Sequence, residues 1–184
     1  GYAGALSNYQ GISNYWGIYT SPDGINWQVV FAGKEPLSGM AFSGNQYVAI
    51  GLGNGTILSS DDGTSWTERV SALSNYSIKG LRSIVWGNNQ FVAVGMAHNG
   101  DDFISVILTS PDGINWTLRP HNSYRNGFNK VRWLNGRYFA LSLSGVIYTS
   151  LDGVTWEGQQ VSFPNNLAAD FRDIIYYAGK YITT

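Results

Sequence analysis

Ile107-Leu108-Thr109-Ser110-Pro111-Asp112-Gly113-Ile114-Asn115-Trp116 decides the fold, because its pattern occurs four times in the chain. The other copies are Ile18-Tyr19-Thr20-Ser21-Pro22-Asp23-Gly24-Ile25-Asn26-Trp27, Ile57-Leu58-Ser59-Ser60-Asp61-Asp62-Gly63-Thr64-Ser65-Trp66 and Ile147-Tyr148-Thr149-Ser150-Leu151-Asp152-Gly153-Val154-Thr155-Trp156. Each holds a β-prone run, two hydroxyl residues, one variable residue, Asp-Gly, two more residues and Trp. In a tight turn Pro presets φ, Asp bonds the backbone ahead of it and Gly takes a positive φ. Each copy therefore predicts two antiparallel strands joined by that turn.

Working outward, a second pair of β-runs precedes three of the hairpins. These pairs are Leu37–Phe42 with Gln46–Ile50, Leu81–Trp86 with Gln90–Gly95, and Phe128–Trp133 with Arg137–Leu141. Gly/Asn turns and alternation at period two mark them as strands. A unit is thus a four-stranded meander, A to D. A fourth A-run, Phe171–Tyr176, leads into Tyr181–Thr184, and its C and D strands stand at the other end as Ile18–Trp27. Units begin near 37, 81, 128 and 171, at spacings of 44, 47 and 43 residues, and the wrap from 171 to 37 gives 50. Repeats of that length with four strands each predict a β-propeller. The expectation is an all-β, four-bladed propeller over residues 1–184 as one domain, its last blade completed by residues 1–36. Two alternatives stand beside it: a half-ring that dimerises to eight blades, and a slice of a longer array.

Composition bounds the function. Hydrophobic residues make up 43% and aromatics 15%, enough for a sizeable core, while charged residues are only 12% and the net charge is −1. No basic cluster stands out, which argues against nucleic acid, and no apolar run is long enough to insert in a membrane. The chain has no cysteine, so disulfides and thiolate metal sites are excluded.

The hairpin resembles the Asp-box, or BNR repeat, of the sialidase-like superfamily: Ser/Thr, any residue, Asp, any residue, Gly, any residue, Thr/Ser, Trp/Phe. Ser59, Asp61, Gly63, Ser65 and Trp66 match it in full. The other copies carry their Asp one place later, at Asp23, Asp112 and Asp152, and keep Gly24, Gly113 and Gly153 with Trp27, Trp116 and Trp156. The resemblance implies a propeller whose boxes are structural turns without catalysis. Sialidase chemistry needs three converging arginines, a Tyr–Glu pair and an acid/base Asp. Only Arg82 and Arg172 share a strand-A position, and of the three glutamates, Glu35, Glu68 and Glu157, the latter two follow a box Trp and so lie on the outer strand, remote from the channel. A sialidase-like hydrolase is therefore the weakest of three readings, and the chain is read as no enzyme.

The box aspartates are spaced as turn caps and lack the convergent oxygens of a calcium site. His98 and His121 are too few for a zinc site. No cofactor or metal is expected. The most suggestive material lies in the long B–C and D–A connections, which share one face. Tyr9, Tyr15, Trp16 and Tyr76 are flat apolar surfaces there, with Asn8, Asn14, Asn75, Asp101 and Asp102 as polar partners. Variable loops on a rigid scaffold are where binding usually resides. The expected function is a non-catalytic binding module for carbohydrate or another polar surface ligand, placed outside the cell or on its surface. The alternative is a structural or assembly protein that contacts other chains, its own copies included.

Overall fold

A computed structural model describes residues 16–69, 77–99, 102–119, 127–161 and 170–184. All regular structure among them is β. A first hairpin pairs β1 (Trp16–Thr20) with β2 (Gln28–Gly33). Sheet 1 contains β3 (Leu37–Phe42), β4 (Tyr47–Gly51), β5 (Ile57–Ser60) and β6 (Thr67–Arg69). Sheet 2 contains β7 (Ser77–Gly87), β8 (Gln90–Asn99), β9 (Asp102–Ser110) and β10 (Thr117–Leu118). Sheet 3 contains β11 (Phe128–Leu134), β12 (Arg137–Ser142), β13 (Val146–Ser150) and β14 (Glu157–Gln160). A last hairpin pairs β15 (Ile174–Tyr177) with β16 (Lys180–Thr183). In each complete sheet the strands neighbour one another in chain order and run antiparallel, as the meander reading expects.

Local chemistry accounts for the turns. The β7–β8 and β11–β12 turns put Asn88 and Asn89, and Asn135 and Gly136, at positive φ. Two consecutive residues of that kind give the turn whose twist suits a hairpin, and Asn and Gly tolerate it best. Inner strands β3, β7 and β11 all bulge near their starts, after Leu37, Leu81 and Phe128. A bulge re-aims the extra residue. Here it turns Ser38 to donate to the Leu81 carbonyl of the next sheet, and Asn129 to donate to the Phe171 carbonyl.

The core lies between sheets rather than within them. Val48, Ile50 and Ile57 of sheet 1 pack on Ile84, Phe91, Leu108 and Trp116 of sheet 2. The other face of sheet 2, with Val92, Val94 and Ile107, packs on Phe128, Tyr138, Tyr148 and Trp156 of sheet 3. Phe139 and Leu141 then meet Phe171 and Ile174 before β15, while Ile18 of β1 packs on Ala49 and Leu58. Alternation at period two gives each strand one set of apolar side chains for each neighbour.

Among the described residues the expected closed ring is not formed. The first and last hairpins remain separate two-stranded sheets, and no ladder joins β16 to β1 among the described residues. Each hairpin is held by the complete sheet beside it, so the described residues form an arc with a two-stranded sheet at each end.

Candidate functional site

The Asp-Gly turns show what the repeated residues do. In the first, the Ser21 hydroxyl accepts from the Gly24 N–H at 2.8 Å, and one Asp23 oxygen accepts from the Ile25 and Asn26 N–H groups, both at 2.8 Å. The Trp27 indole N–H donates to the Gly24 carbonyl at 3.2 Å. The same network recurs with Ser60, Asp62 and Trp66, with Ser110, Asp112 and Trp116, and with Ser150, Asp152 and Trp156. The second turn therefore corrects the sequence reading. Its cap is Asp62, whereas Asp61 accepts from the Gln46 amide at 2.7 Å, outside the network. The Ser-to-Gly separation is three residues in every copy, and only the Asp just before Gly reaches the two N–H groups beyond it. Asp62→Ala should lower the melting temperature, and Asp61→Ala should leave it within error. Equal losses would sink this assignment.

These hydrogen bonds hold the carboxylates ionised. The Asn26 and Ile25 N–H groups depress Asp23, and the Ser65 and Thr64 N–H groups depress Asp62, both well below the ordinary carboxylate range. The Thr155 and Val154 N–H groups lower Asp152 in the same way. At Asp112 partial burial opposes the shift, but the bonds from Asn115, Ile114 and Ser110 outweigh it and bring the group to about 2. A folded-state value below the unfolded one contributes stability above the unfolded pKa, lost as pH falls through the folded value. The melting temperature should thus fall as pH is lowered from about 5 to about 2. A flat profile over that window would contradict the turn chemistry.

Two arginines among the described residues are held in ion pairs. Arg132 forms a two-pronged pair with Asp173, its Nε at 2.8 Å and a terminal nitrogen at 2.6 Å. That pair raises the arginine and lowers the carboxyl. Arg172 pairs with Asp170. Buried Tyr138 is pushed up to about 12 by desolvation, and its hydroxyl donates to the Gly87 carbonyl. Among the described residues no group of three His, Cys, Asp or Glu side chains could hold a metal ion.

On the long-loop face, the B–C connection of sheet 2 differs from its expected form. Met96 to Phe103 is not an irregular loop. β8 and β9 pair out to Asn99 opposite Asp102, so the hairpin projects well past the shorter strands of the other sheets. Near its tip the His98 and Phe103 rings meet edge to face, centroids 3.9 Å apart, with Phe103 half exposed. Sequence reasoning named the segment but missed the pair. The signal was there in the sequence: Met96-Ala97-His98 and Phe103-Ile104-Ser105 alternate on either side of Asn99-Gly100-Asp101-Asp102, a run of turn-forming residue types. Of the sequence-nominated ligand residues, Trp16 starts β1 opposite Gly33 and is partly buried, and Asp102 starts β9. Tyr9, Tyr15, Tyr76, Asn8, Asn14, Asn75 and Asp101, and also His121, lie outside the described residues.

A cleft of about 510 Å³ opens where sheet 3 meets the last hairpin, lined by Arg137, Phe139, Ile147, Glu157, Ile174 and Tyr181 among others. A smaller hollow of about 210 Å³ adjoins it by the fourth turn, sharing Arg137, Thr149 and Glu157.

No family model and no curated protein matches the chain. Solved structures do. A structure described as YCF48 bound to D1 peptide is 18% identical with a TM-score of 0.59, over 81% of this chain and 47% of that one. The computationally designed Ika4 protein is 13% identical, TM-score 0.53, over 82% of this chain and 86% of that one. The Bombyx mori GH32 beta-fructofuranosidase BmSUC1 is 14% identical, TM-score 0.50, over 80% and 40%. The chain spans about half the length of the YCF48 structures it matches. The natural proteins among these neighbours are β-propellers, and at these identities the likeness is one of fold: the chain is an all-β protein of propeller type.

Proposed function

We propose that the chain is a non-catalytic Asp-box propeller module that binds a carbohydrate or another polar surface ligand on its long-loop face. The observation that carries this is the contrast between its two faces. On one, the box carboxylates are consumed by their own turns, which makes them scaffold. On the other, the sheet 2 hairpin projects with an exposed Phe103 braced by His98. An aromatic ring held by a rigid strand pair suits the flat face of a sugar, and the Asn, Tyr and Trp residues of the neighbouring connections supply neutral hydrogen-bonding groups. In all four turns the Asp just before Gly closes on the backbone ahead of it and the Trp on the Gly carbonyl, as a scaffold motif would. Commitment of Arg132 to Asp173 supports a role without sialidase chemistry. The test is a glycan array followed by titration of a bound glycan. Phe103→Ala, and separately Tyr15→Ala with Trp16→Ala, should each weaken affinity by about 30-fold, the scale of an aromatic anchor. An array without a hit, or unchanged affinity in both variants, would refute the reading. Assembly with other chains is the second reading, and the likeness of fold to the structure of YCF48 bound to D1 peptide speaks for it.

A further inference from the structure

The sequence places Asp directly before Gly in all four boxes, and Asn directly before Gly at 54–55, 99–100, 126–127 and 135–136. Asn is chemically labile in proteins. In such pairs the glycine nitrogen, unhindered by a neighbouring side chain, attacks the side-chain carbonyl carbon and closes a five-membered ring. The hydrogen bonds and the room around a pair decide whether that attack occurs, and the described pairs differ in both.

In the boxes the attacking nitrogen is engaged. The N–H groups of Gly24, Gly63, Gly113 and Gly153 donate to the hydroxyls of Ser21, Ser60, Ser110 and Ser150, the Ser21 bond at 2.8 Å and the Ser60 bond at 2.9 Å. The Asp carboxylates are ionised and fastened to the two N–H groups ahead of Gly, and an anionic carboxylate is a poor electrophile. The repeated Ser–Asp frame thus shields its own Asp-Gly bonds.

Two Asn-Gly pairs lie wholly within the described residues, and both turn with consecutive positive φ: 47° and 68° at Asn54-Gly55, 49° and 74° at Asn135-Gly136. The first is enclosed. Gly55 is buried, and the Thr56 N–H and hydroxyl both donate to the Gly53 carbonyl at 3.1 Å. The second is open. Asn135 and Gly136 are exposed at the tip of the β11–β12 hairpin, just past the Leu134–Arg137 pair. Nothing stands within 4 Å of a Cβ added at Gly136, and among the described residues no group accepts from its N–H. The peptide between Asn135 and Gly136 is therefore free to turn over without opening the hairpin. The resulting turn also suits two-residue hairpins. It asks for positive φ at its first residue, which Asn135 already has, and negative φ at its second, which glycine takes as readily as positive. Turning over brings the Gly136 nitrogen towards the Asn135 side chain.

We propose that Asn135-Gly136 is a site of spontaneous deamidation, which places isoaspartate in the β11–β12 turn. The Gly136 nitrogen gives its proton to solvent base and bonds to Asn135 Cγ. The Cγ–Nδ2 bond breaks, and the amide nitrogen takes up a proton and leaves as ammonia. Water then opens the ring at one of its two carbonyls, giving aspartate or isoaspartate with no change of oxidation state. In isoaspartate the main chain runs through Cβ, so the two-residue turn gains a backbone carbon. A carboxylate also replaces the amide that donates to the Tyr181 hydroxyl at 3.4 Å. The shape of the turn and its contact with the last hairpin change together.

The experiment uses the full chain, incubated at mildly alkaline pH in native buffer and, in parallel, in concentrated urea. Peptide mapping by mass spectrometry follows each site, and labelling by an isoaspartyl methyltransferase identifies isoaspartate. In the native chain Asn135 should convert about tenfold faster than Asn54 or more, a barrier difference of about 1.4 kcal/mol. The box aspartates should acquire no isoaspartate over the same period. In urea the ratio of the two asparagines should fall towards one, since local sequence alone then sets the rates. A native Asn54 that converts as fast as Asn135, a ratio unchanged by urea, or isoaspartate arising first in a box would overturn the proposal.

Discussion

Gly113→Val should lower stability by about 3–5 kcal/mol, as backbone strain and a clash between sheets add. Gly113 sits at φ +70°, and a Cβ there would stand 2.5 Å from a Val48 methyl of sheet 1. The first effect is local: a β-branched residue is a poor fit to the left-handed region and costs roughly 1–3 kcal/mol. The second is tertiary, because Val48 is fully buried and has no free direction in which to retreat. Gly136→Val separates them. Gly136 has φ +74° but nothing within 4 Å of an added Cβ, so only the strain applies. In a domain of this size about 2–4 °C of melting temperature accompany each kcal/mol, so Gly113→Val should melt roughly 10 °C below wild type. Equal melting temperatures for the two variants would mean that the turn does not touch the neighbouring sheet.

Trp116→Ala should cost about as much, roughly 3–5 kcal/mol, the range for deleting a buried large aromatic. Its ring is 5% exposed and belongs to the cluster between sheets 1 and 2. The indole N–H also closes the turn onto the Gly113 carbonyl at 3.2 Å. Trp116→Phe keeps most of the apolar area and forfeits that hydrogen bond, a loss of about 1 kcal/mol with a further packing loss smaller than the alanine cavity. Denaturant midpoints should therefore rank wild type, Phe, then Ala. Near-equal losses in the two variants would shift the weight from packing to the hydrogen bond.

Strand order and the turns were legible in the sequence because both are local. Period-two alternation names the strands, and Asn88-Asn89 or Asn135-Gly136 names a turn from two adjacent residues. The register of the second box was not, because Asp61 and Asp62 both satisfy a spacing. The choice falls to the reach of the Ser60 hydroxyl to the Gly63 N–H. Met96–Phe103 read as loop because Asn99-Gly100-Asp101-Asp102 is polar, although hairpin pairing asks nothing of polarity. Closure was the least legible. It depends on the angle between successive sheets, which accumulates from many inter-sheet contacts such as Gly113 on Val48. No short stretch encodes that sum. Most of the nominated ligand residues sit in connections outside the described strands, so His98 and Phe103 are the part of that face whose geometry is on view.

Sheets that share apolar clusters only with their neighbours make chain length a free evolutionary variable. Ser38 reaches the Leu81 carbonyl and Asn129 the Phe171 carbonyl through one repeated position. A duplicated unit brings its own donor and acceptor and inserts between two sheets without redesign of a central core. A folding unit of this kind grows by addition, as repeat arrays do. The same economy lets unequal recombination between units change the number of repeats without a central core to rebuild.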